Sequence, residues 1–253
     1  MVTSAVMRET FLHIIGYCWL AFGAYWIGTN ARRRSASPGP QDAKRRFRFA
    51  FLGVAFAVLF FARHKIPPPV LIILSLLWGG LSLYWISSGP STSSGEFRFY
   101  RVLRLLILGV TFALLFWDQT AIGILGRAVV PGGAGLAIFG FAVALIGLAI
   151  ALWARIHLGK FWSDKVVLRE DHQLIRSGPY ASMRHPIYSG VLLGVLGTAL
   201  IVDQWRGLFA FALLLANYTI KAKREERILA DRFQEEFQEH QSGTGFLLPR
   251  LRG

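Results

Sequence analysis

"GAGLAIFGFAVALIGLAIALWA", residues 133–154, carries no charged side chain. An apolar run of this length, with no polar face for water, reads as a helix crossing a bilayer. The same kind of run recurs on both sides of it. The sequence yields seven candidate spans, at 10–29, 47–62, 70–88, 102–118, 133–154, 187–202 and 206–220. The second, sixth and seventh fall short of the about 20 residues that a hydrocarbon core asks of a helix. The sixth and seventh read as a tight hairpin turned at Asp203-Gln204-Trp205. Pro67-Pro68-Pro69 separates spans two and three, because proline cannot continue a helix interior. Ser87 to Gly95 is a loop by composition, and Pro131-Gly132-Gly133 breaks the chain before span five. The stretch from Phe11 to Gly28 is long for a signal-peptide core and no A-x-A site follows it, so it reads as the first span.

Composition agrees. Of 253 residues 54% are hydrophobic and only 17% charged, with a mean hydropathy of +0.45, whereas a soluble domain is about a quarter charged. The fold class expected is therefore all-α, a polytopic helical membrane protein. The formal net charge of +14 does not point to nucleic acid, because the basic residues lie in short blocks between apolar runs. Such blocks set topology and meet anionic lipid headgroups. Alternate connecting segments hold 23 of the 28 basic residues, and the opposite set holds only Arg8, Arg63, Lys65, Arg127 and Arg206. By the positive-inside rule the N-terminus lies outside and the C-terminus in the cytoplasm, and the location expected is a bacterial inner membrane. The single cysteine, Cys18, excludes an internal disulfide and a cysteine-based metal site. His157, His172 and His185 with Asp164 and Asp171 match no metal-ligand spacing.

Polar residues concentrate in two segments of the C-terminal half. In the first, "RSGPYASMRHPIYSG" at 176–190, Ser177-Gly178-Pro179-Tyr180 is a turn by its chemistry. Pro186 suits the first turn of a helix, where its missing N–H costs nothing. The free N–H groups of that turn, with Arg184 and His185 beside them, would favour an anion. The same residues also suit a membrane-surface anchor, since arginine snorkels and tyrosine sits at headgroup level. The second segment, "KAKREERILADRFQEEFQEH" at 221–240, reads as an amphipathic helix on the membrane. Leu229, Phe233 and Phe237 form an apolar stripe, and extending it backwards meets Glu225 and Lys221. These two are either an ordinary i,i+4 pair or charges held on an apolar face for function. Glu226 lies about 100° round the helix and is expected to point elsewhere.

At these residues the chain resembles a family. His172-Gln173-Leu174-Ile175, Gly178-Pro179-Tyr180 and Arg184-His185-Pro186-Ile187-Tyr188, followed by Glu225-Glu226, Leu229, Phe233 and Phe237, are similar to the isoprenylcysteine carboxyl methyltransferase family. Its relatives include bacterial integral-membrane and phospholipid methyltransferases. The resemblance covers residues 150–250, and no convincing glycine-rich dinucleotide loop competes with it. It implies an S-adenosylmethionine-dependent methyltransferase core at 131–253, on the cytoplasmic face, after N-terminal transmembrane helices at 1–130 to which no role attaches.

Carried over by position, the resemblance implies cofactor binding by His172, Gln173, Leu174, Ile175, Tyr180, His185, Pro186, Ile187, Tyr188 and Glu225. It implies catalytic roles for Lys221 and Arg184, and no metal. Lys221 stands where the family has an arginine, which keeps the charge and loses the bidentate fork. Phe237 and His240 stand where the family more often has tyrosines. The acceptor implied is lipophilic, a prenylcysteine-like carboxylate or a lipid headgroup, reaching the site sideways between helices. Tyrosine faces at 180 and 188 would stabilise the sulfonium. The alternatives are an NADPH-dependent membrane reductase of the sterol-reductase type and a non-catalytic membrane protein.

Overall fold

The computed structural model describes residues 2–33, 70, 74, 77, 98–130, 134–159 and 174–250. Its helices are α1 (Val2–Arg33), α2 (Arg98–Phe116), α3 (Ala134–Leu158), α4 (Pro186–Val202) and α5 (Trp205–Gly243). Short 3-10 turns at Asp118–Thr120, Gly123–Gly126 and Gly178–Ala181 join them, and no strand occurs among the described residues. The chain divides into two units, Met1–Trp19 with Leu106–Gly253, and Leu20–Leu105. In the second, Phe22 and Trp26 bring their rings to 5.4 Å and Thr29 Oγ1 donates to the Trp26 carbonyl. The spans expected at 47–62 and 70–88 fall outside the described residues, apart from Val70, Leu74 and Leu77, which are helical.

The first unit is built on a seam between α3 and α4. Gly140, Ala144, Gly147 and Ala151 of α3 face Gly190, Gly194 and Gly197 of α4, and all are buried. A Cβ at Gly190 would stand 2.5 Å from the Ala151 nitrogen, and one at Gly140 would stand 2.7 Å from the Gly197 oxygen. The two backbones therefore touch, as small residues at three- and four-residue spacing allow apolar helices to do. Trp19 of α1 lies against Gly194 and donates through Nε1 to Thr198 Oγ1 at 3.2 Å, while Thr198 donates to the Gly194 carbonyl. Phe11 stacks on Phe141, and Trp19 meets Phe112 edge-on.

The α4–α5 turn closes one end of this unit. Asp203 caps α4 in the left-handed region at φ 49°. Its carboxylate accepts from Val130 N and pairs with Arg8 at 2.9 Å. Arg206 donates to the Trp117 carbonyl at 2.8 Å and reaches Asp118. The hairpin turn at 203–205 and the helix start at Pro186 are where the sequence puts them.

One expectation changes. Span seven and the amphipathic tail are one helix, α5, which runs 39 residues with a break at Gln234 (φ 39°, ψ −112°). The described residues bear on only part of the seven-span count. Among them, Ala134–Leu158 is the one helix long and apolar enough to cross a membrane by length and composition, with Leu106–Phe116 and Pro186–Val202 as shorter apolar helices.

Candidate active site

The end opposite Asp203 gathers the polar residues. The connection into α4 turns at Gly178 (φ +59°), where a Cβ would stand 2.6 Å from the His157 ring, so only glycine fits both the dihedral and the space. His157 Nε2 and Ser177 Oγ lie 2.9 Å apart, and the His157 ring stacks beside Tyr180 at 6.5 Å. This buries Tyr180 beside α3. Burial first, and the nearby Glu225 charge second, push its hydroxyl well above the ordinary tyrosine range, against the opposing pull of Arg155. Tyr180 is accordingly a neutral donor and aromatic face.

Pro186 starts α4, and the first turn sets His185 and Tyr188 on one side with their rings stacked at 5.5 Å and 10°. Across from them, the middle of α5 presents two adjacent carboxylates. Glu225 Oε1 accepts from the Tyr188 hydroxyl at 2.7 Å and lies 3.7 Å from Lys221 Nζ. Lys221 also sits over the Tyr188 ring at 5.1 Å, and Tyr218 packs on the same ring at 4.8 Å. Glu226 Oε1 accepts from Arg184 Nε at 2.5 Å and lies 3.2 Å from His185 Nε2. Burial pushes the Glu226 carboxyl up. The hydrogen bonds from His185 and Arg184 outweigh that and hold it below the usual carboxylate range.

Beyond the break at Gln234, the chain folds over the 176–190 segment. Arg176 donates to Glu239 at 2.8 Å and to the Glu236 carbonyl, and Phe237 and His240 are buried. Arg184 Nη1 donates to the Thr244 carbonyl at 2.6 Å and to the Gln241 carbonyl at 3.2 Å. Residues 244–250 then run as a strap beside 182–185. Arg184 N donates to Gly245 O at 2.9 Å, and both Gly245 N and Arg250 N donate to Ser182 O at 3.0 Å. Phe246 lands edge-on to His185 at 5.3 Å, with the Arg184 guanidinium 5.8 Å from its ring centre. The two arginines of 176–190 thus hold the tail, which the anchoring alternative would leave to lipid.

Of the residues singled out in the sequence, Arg184, His185, Pro186, Ile187, Tyr188, Lys221 and Glu225 meet where α4 begins and α5 passes, and Tyr180 lies within electrostatic reach of Glu225. Leu174 and Ile175 are half-buried at the start of the connection, and His172 and Gln173 lie outside the described residues. Glu226 does not point elsewhere. It turns to the same helix start from the other side of His185. Phe246 and the strap were missed, because nothing periodic marks them. Among the described residues no three of His, Cys, Asp and Glu form a group that could hold a metal ion.

Residues 136–236, which carry α3, α4 and most of α5, match the family model described as phospholipid methyltransferase. This C-terminal core is similar to phospholipid methyltransferases and to protein-S-isoprenylcysteine O-methyltransferases. Phe139, Ile146, Trp153 and Ile156 stand exposed along α3. The cobalt-zinc-cadmium resistance protein CzcN of Cupriavidus metallidurans is 31% identical over 155 residues, covering 59% of this chain and 63% of that one. The probable protein-S-isoprenylcysteine O-methyltransferase of Oryza sativa subsp. japonica is 31% identical over 104 residues, covering 40% of this chain and 54% of that one. Protein-S-isoprenylcysteine O-methyltransferase B of Arabidopsis thaliana is 29% identical over 105 residues, covering 40% and 53%. The chain thus spans between 53% and 63% of the length of these relatives. A solved structure titled as the eukaryotic intramembrane Ras methyltransferase ICMT aligns over 98% of this chain and 95% of that one, with a TM-score of 0.46 and 17% identity. That likeness is too distant to bear on the site.

Proposed function

We propose that the chain is an integral-membrane methyltransferase that uses S-adenosylmethionine and acts on a lipophilic acceptor. The acceptor is either a prenylcysteine-like carboxylate or a lipid headgroup. The reading places it across the membrane in seven spans, with the N-terminus outside and the site at the cytoplasmic face. The observation that carries it is the group His185, Tyr188, Lys221 and Glu225. A carboxylate that accepts from a tyrosine, an ammonium above that tyrosine's ring and a stacked imidazole meet where an apolar helix begins.

The donor set suits the cofactor's chemistry. S-adenosylmethionine offers ammonium and ribose hydroxyl groups to a carboxylate, a planar base to aromatic faces and a sulfonium cation to a tyrosine ring. Glu225 is the acceptor for such donors, and His185, Tyr188 and Tyr180 supply rings. Leu174, Ile175, Pro186 and Ile187 line the same stretch of chain, and His172 and Gln173 precede it. When bound, the cofactor supplies a methyl already activated on sulfur, and transfer is an in-line displacement. The protein's own contribution is to orient the two reactants and exclude water. Lys221 orients an anionic acceptor by its charge, and the strap closes the His185 side against solvent.

Titration of the detergent-purified protein with S-adenosylmethionine and with NADPH tests the reading. Saturable binding of the first and not the second is expected. The reverse would make the chain a reductase, and binding of neither would remove catalysis. Incubating lipid extracts and a prenylcysteine with methyl-labelled cofactor then identifies the acceptor by which product carries the label.

A further inference from the structure

The resemblance implies a catalytic role for Arg184, yet the Arg184 guanidinium meets a carboxylate of α5 and the main chain at 241 and 244. We infer that Arg184 is a positioning residue: by joining Glu226 to the Gln241 and Thr244 carbonyls it fixes Phe246 against His185 as the roof of the cofactor site. The inference rests on the cofactor reading above.

The guanidinium is committed to protein groups. Nε meets a carboxylate on α5, and Nη1 meets two carbonyls at the end of that helix. Three segments distant in sequence are thereby tied at one planar fork: the start of α4, the middle of α5 and the strap. Only arginine offers donors from separate nitrogens of one planar fork, whereas the three donors of a lysine leave a single point and cannot span partners on two sides. The Arg184 backbone N–H extends the tie to Gly245 O. Ser189 adds a bond from its hydroxyl to the Leu247 carbonyl. The bonds to Thr244, Gly245 and Leu247 all end on the strap's main chain, so what they fix is its path. On that path one large side chain, Phe246, turns inward to the His185 ring, while Leu248 two residues on is 79% exposed. His185 is held between Tyr188 on one face and Phe246 at its edge, with Glu226 on Nε2. A ring held on three sides presents its remaining edge in one orientation, which is the pre-organisation a binding group needs.

Two measurements on the full chain in detergent test this. The first needs no ligand. In Arg184→Lys, amide hydrogen exchange of 244–250 should rise while that of α3 and α4 stays as in the wild type. The second is the rate at which S-adenosylmethionine leaves. Arg184→Lys and Phe246→Leu should release it about tenfold faster, the effect of one lost bond to a charged group or of its packing equivalent. The KM for the acceptor should be unchanged, and Leu248→Ala on the same strap should match the wild type throughout. Wild-type exchange at 244–250 in Arg184→Lys overturns the inference. So does a loosened strap with an unchanged release rate, and so does an equal effect of Leu248→Ala. A wild-type protein that binds no S-adenosylmethionine defeats the cofactor reading and with it the roof, while the exchange data still decide whether Arg184 holds the strap.

Discussion

At the scale of single residues the site turns on two neighbouring glutamates with different partners. Glu225 meets a tyrosine hydroxyl and an ammonium, and is open enough to exchange them for a ligand's donors. Glu226 is bonded to Arg184 and His185, two groups already fixed by the fold. Glu225→Gln should therefore weaken S-adenosylmethionine binding by about tenfold, the loss of a charged hydrogen bond, with little change in melting temperature. Glu226→Gln should instead lower stability by about 1–3 kcal/mol, because it leaves a half-buried arginine without its counter-charge. The acid limb separates them further. The folded-state pKa of Glu226 lies below the ordinary 4.5. As pH falls, the unfolded chain takes up this proton first. The stabilisation is complete above pH 4.5 and is lost as the pH drops through the folded value. Melting curves of Glu226→Gln should thus flatten against the wild type below pH 4.5, and parallel curves would show that the carboxylate contributes nothing. Lys221→Ala should keep cofactor binding and slow transfer, since the lysine is assigned to the acceptor.

At the scale of elements, the α3–α4 seam puts His185 and Tyr188 where α5 can reach them. Its backbones touch at Gly190, where a Cβ would stand 2.5 Å from Ala151 N. Gly190→Ala should lower stability by about 1–3 kcal/mol by overpacking, and the start of α4 should shift with it. Gly135→Ala on α3, with nothing within 4 Å, should be neutral. Thermal melts of the two variants decide this, and equal midpoints would mean the helices can part without cost. This seam was legible in the sequence, as small residues spaced Gly190, Gly194 and Gly197, but span-finding by hydropathy passes over it. The start of α4 and the turn at Asp203 were legible because proline and local turn chemistry act on their immediate neighbours. The continuity of α5 was not: the switch from apolar to charged residues near Lys221 resembles an element boundary, yet no proline or glycine interrupts the helix there. The break at Gln234 was equally hidden, because it accompanies contacts made by Arg176 with residues some sixty positions away. The Arg184–Glu226 pair is hidden for the same reason, since only the folded chain brings 184 and 226 together.

At the scale of the whole molecule, the question is which way the chain faces the membrane. Within the unit of Met1–Trp19 and Leu106–Gly253, Arg8 pairs with Asp203 at the α4–α5 turn, while the strap pairs with 182–185 at the start of α4. The two chain ends are therefore tied to opposite ends of α4. The stretch of α5 from Trp205 to Glu225 rises about 30 Å, the thickness of a bilayer's hydrocarbon core. If α4 and α5 cross the membrane, the chain ends lie on opposite sides. The proposed topology takes the C-terminal side as cytoplasmic from the split of 23 basic residues against 5. A chain with Cys18→Ser and one new cysteine, placed either before Met1 or after Gly253, should react with an impermeant maleimide in intact cells only when the cysteine is N-terminal. Labelling of both from outside, or of neither, would contradict the seven-span count, and would mean that α4 does not cross the membrane between the Arg8–Asp203 pair and the strap. Labelling only at the C-terminus would keep the geometry and invert the protein, moving the site away from the cytoplasmic supply of cofactor, and the methyltransferase reading would then have to be abandoned along with the positive-inside assignment.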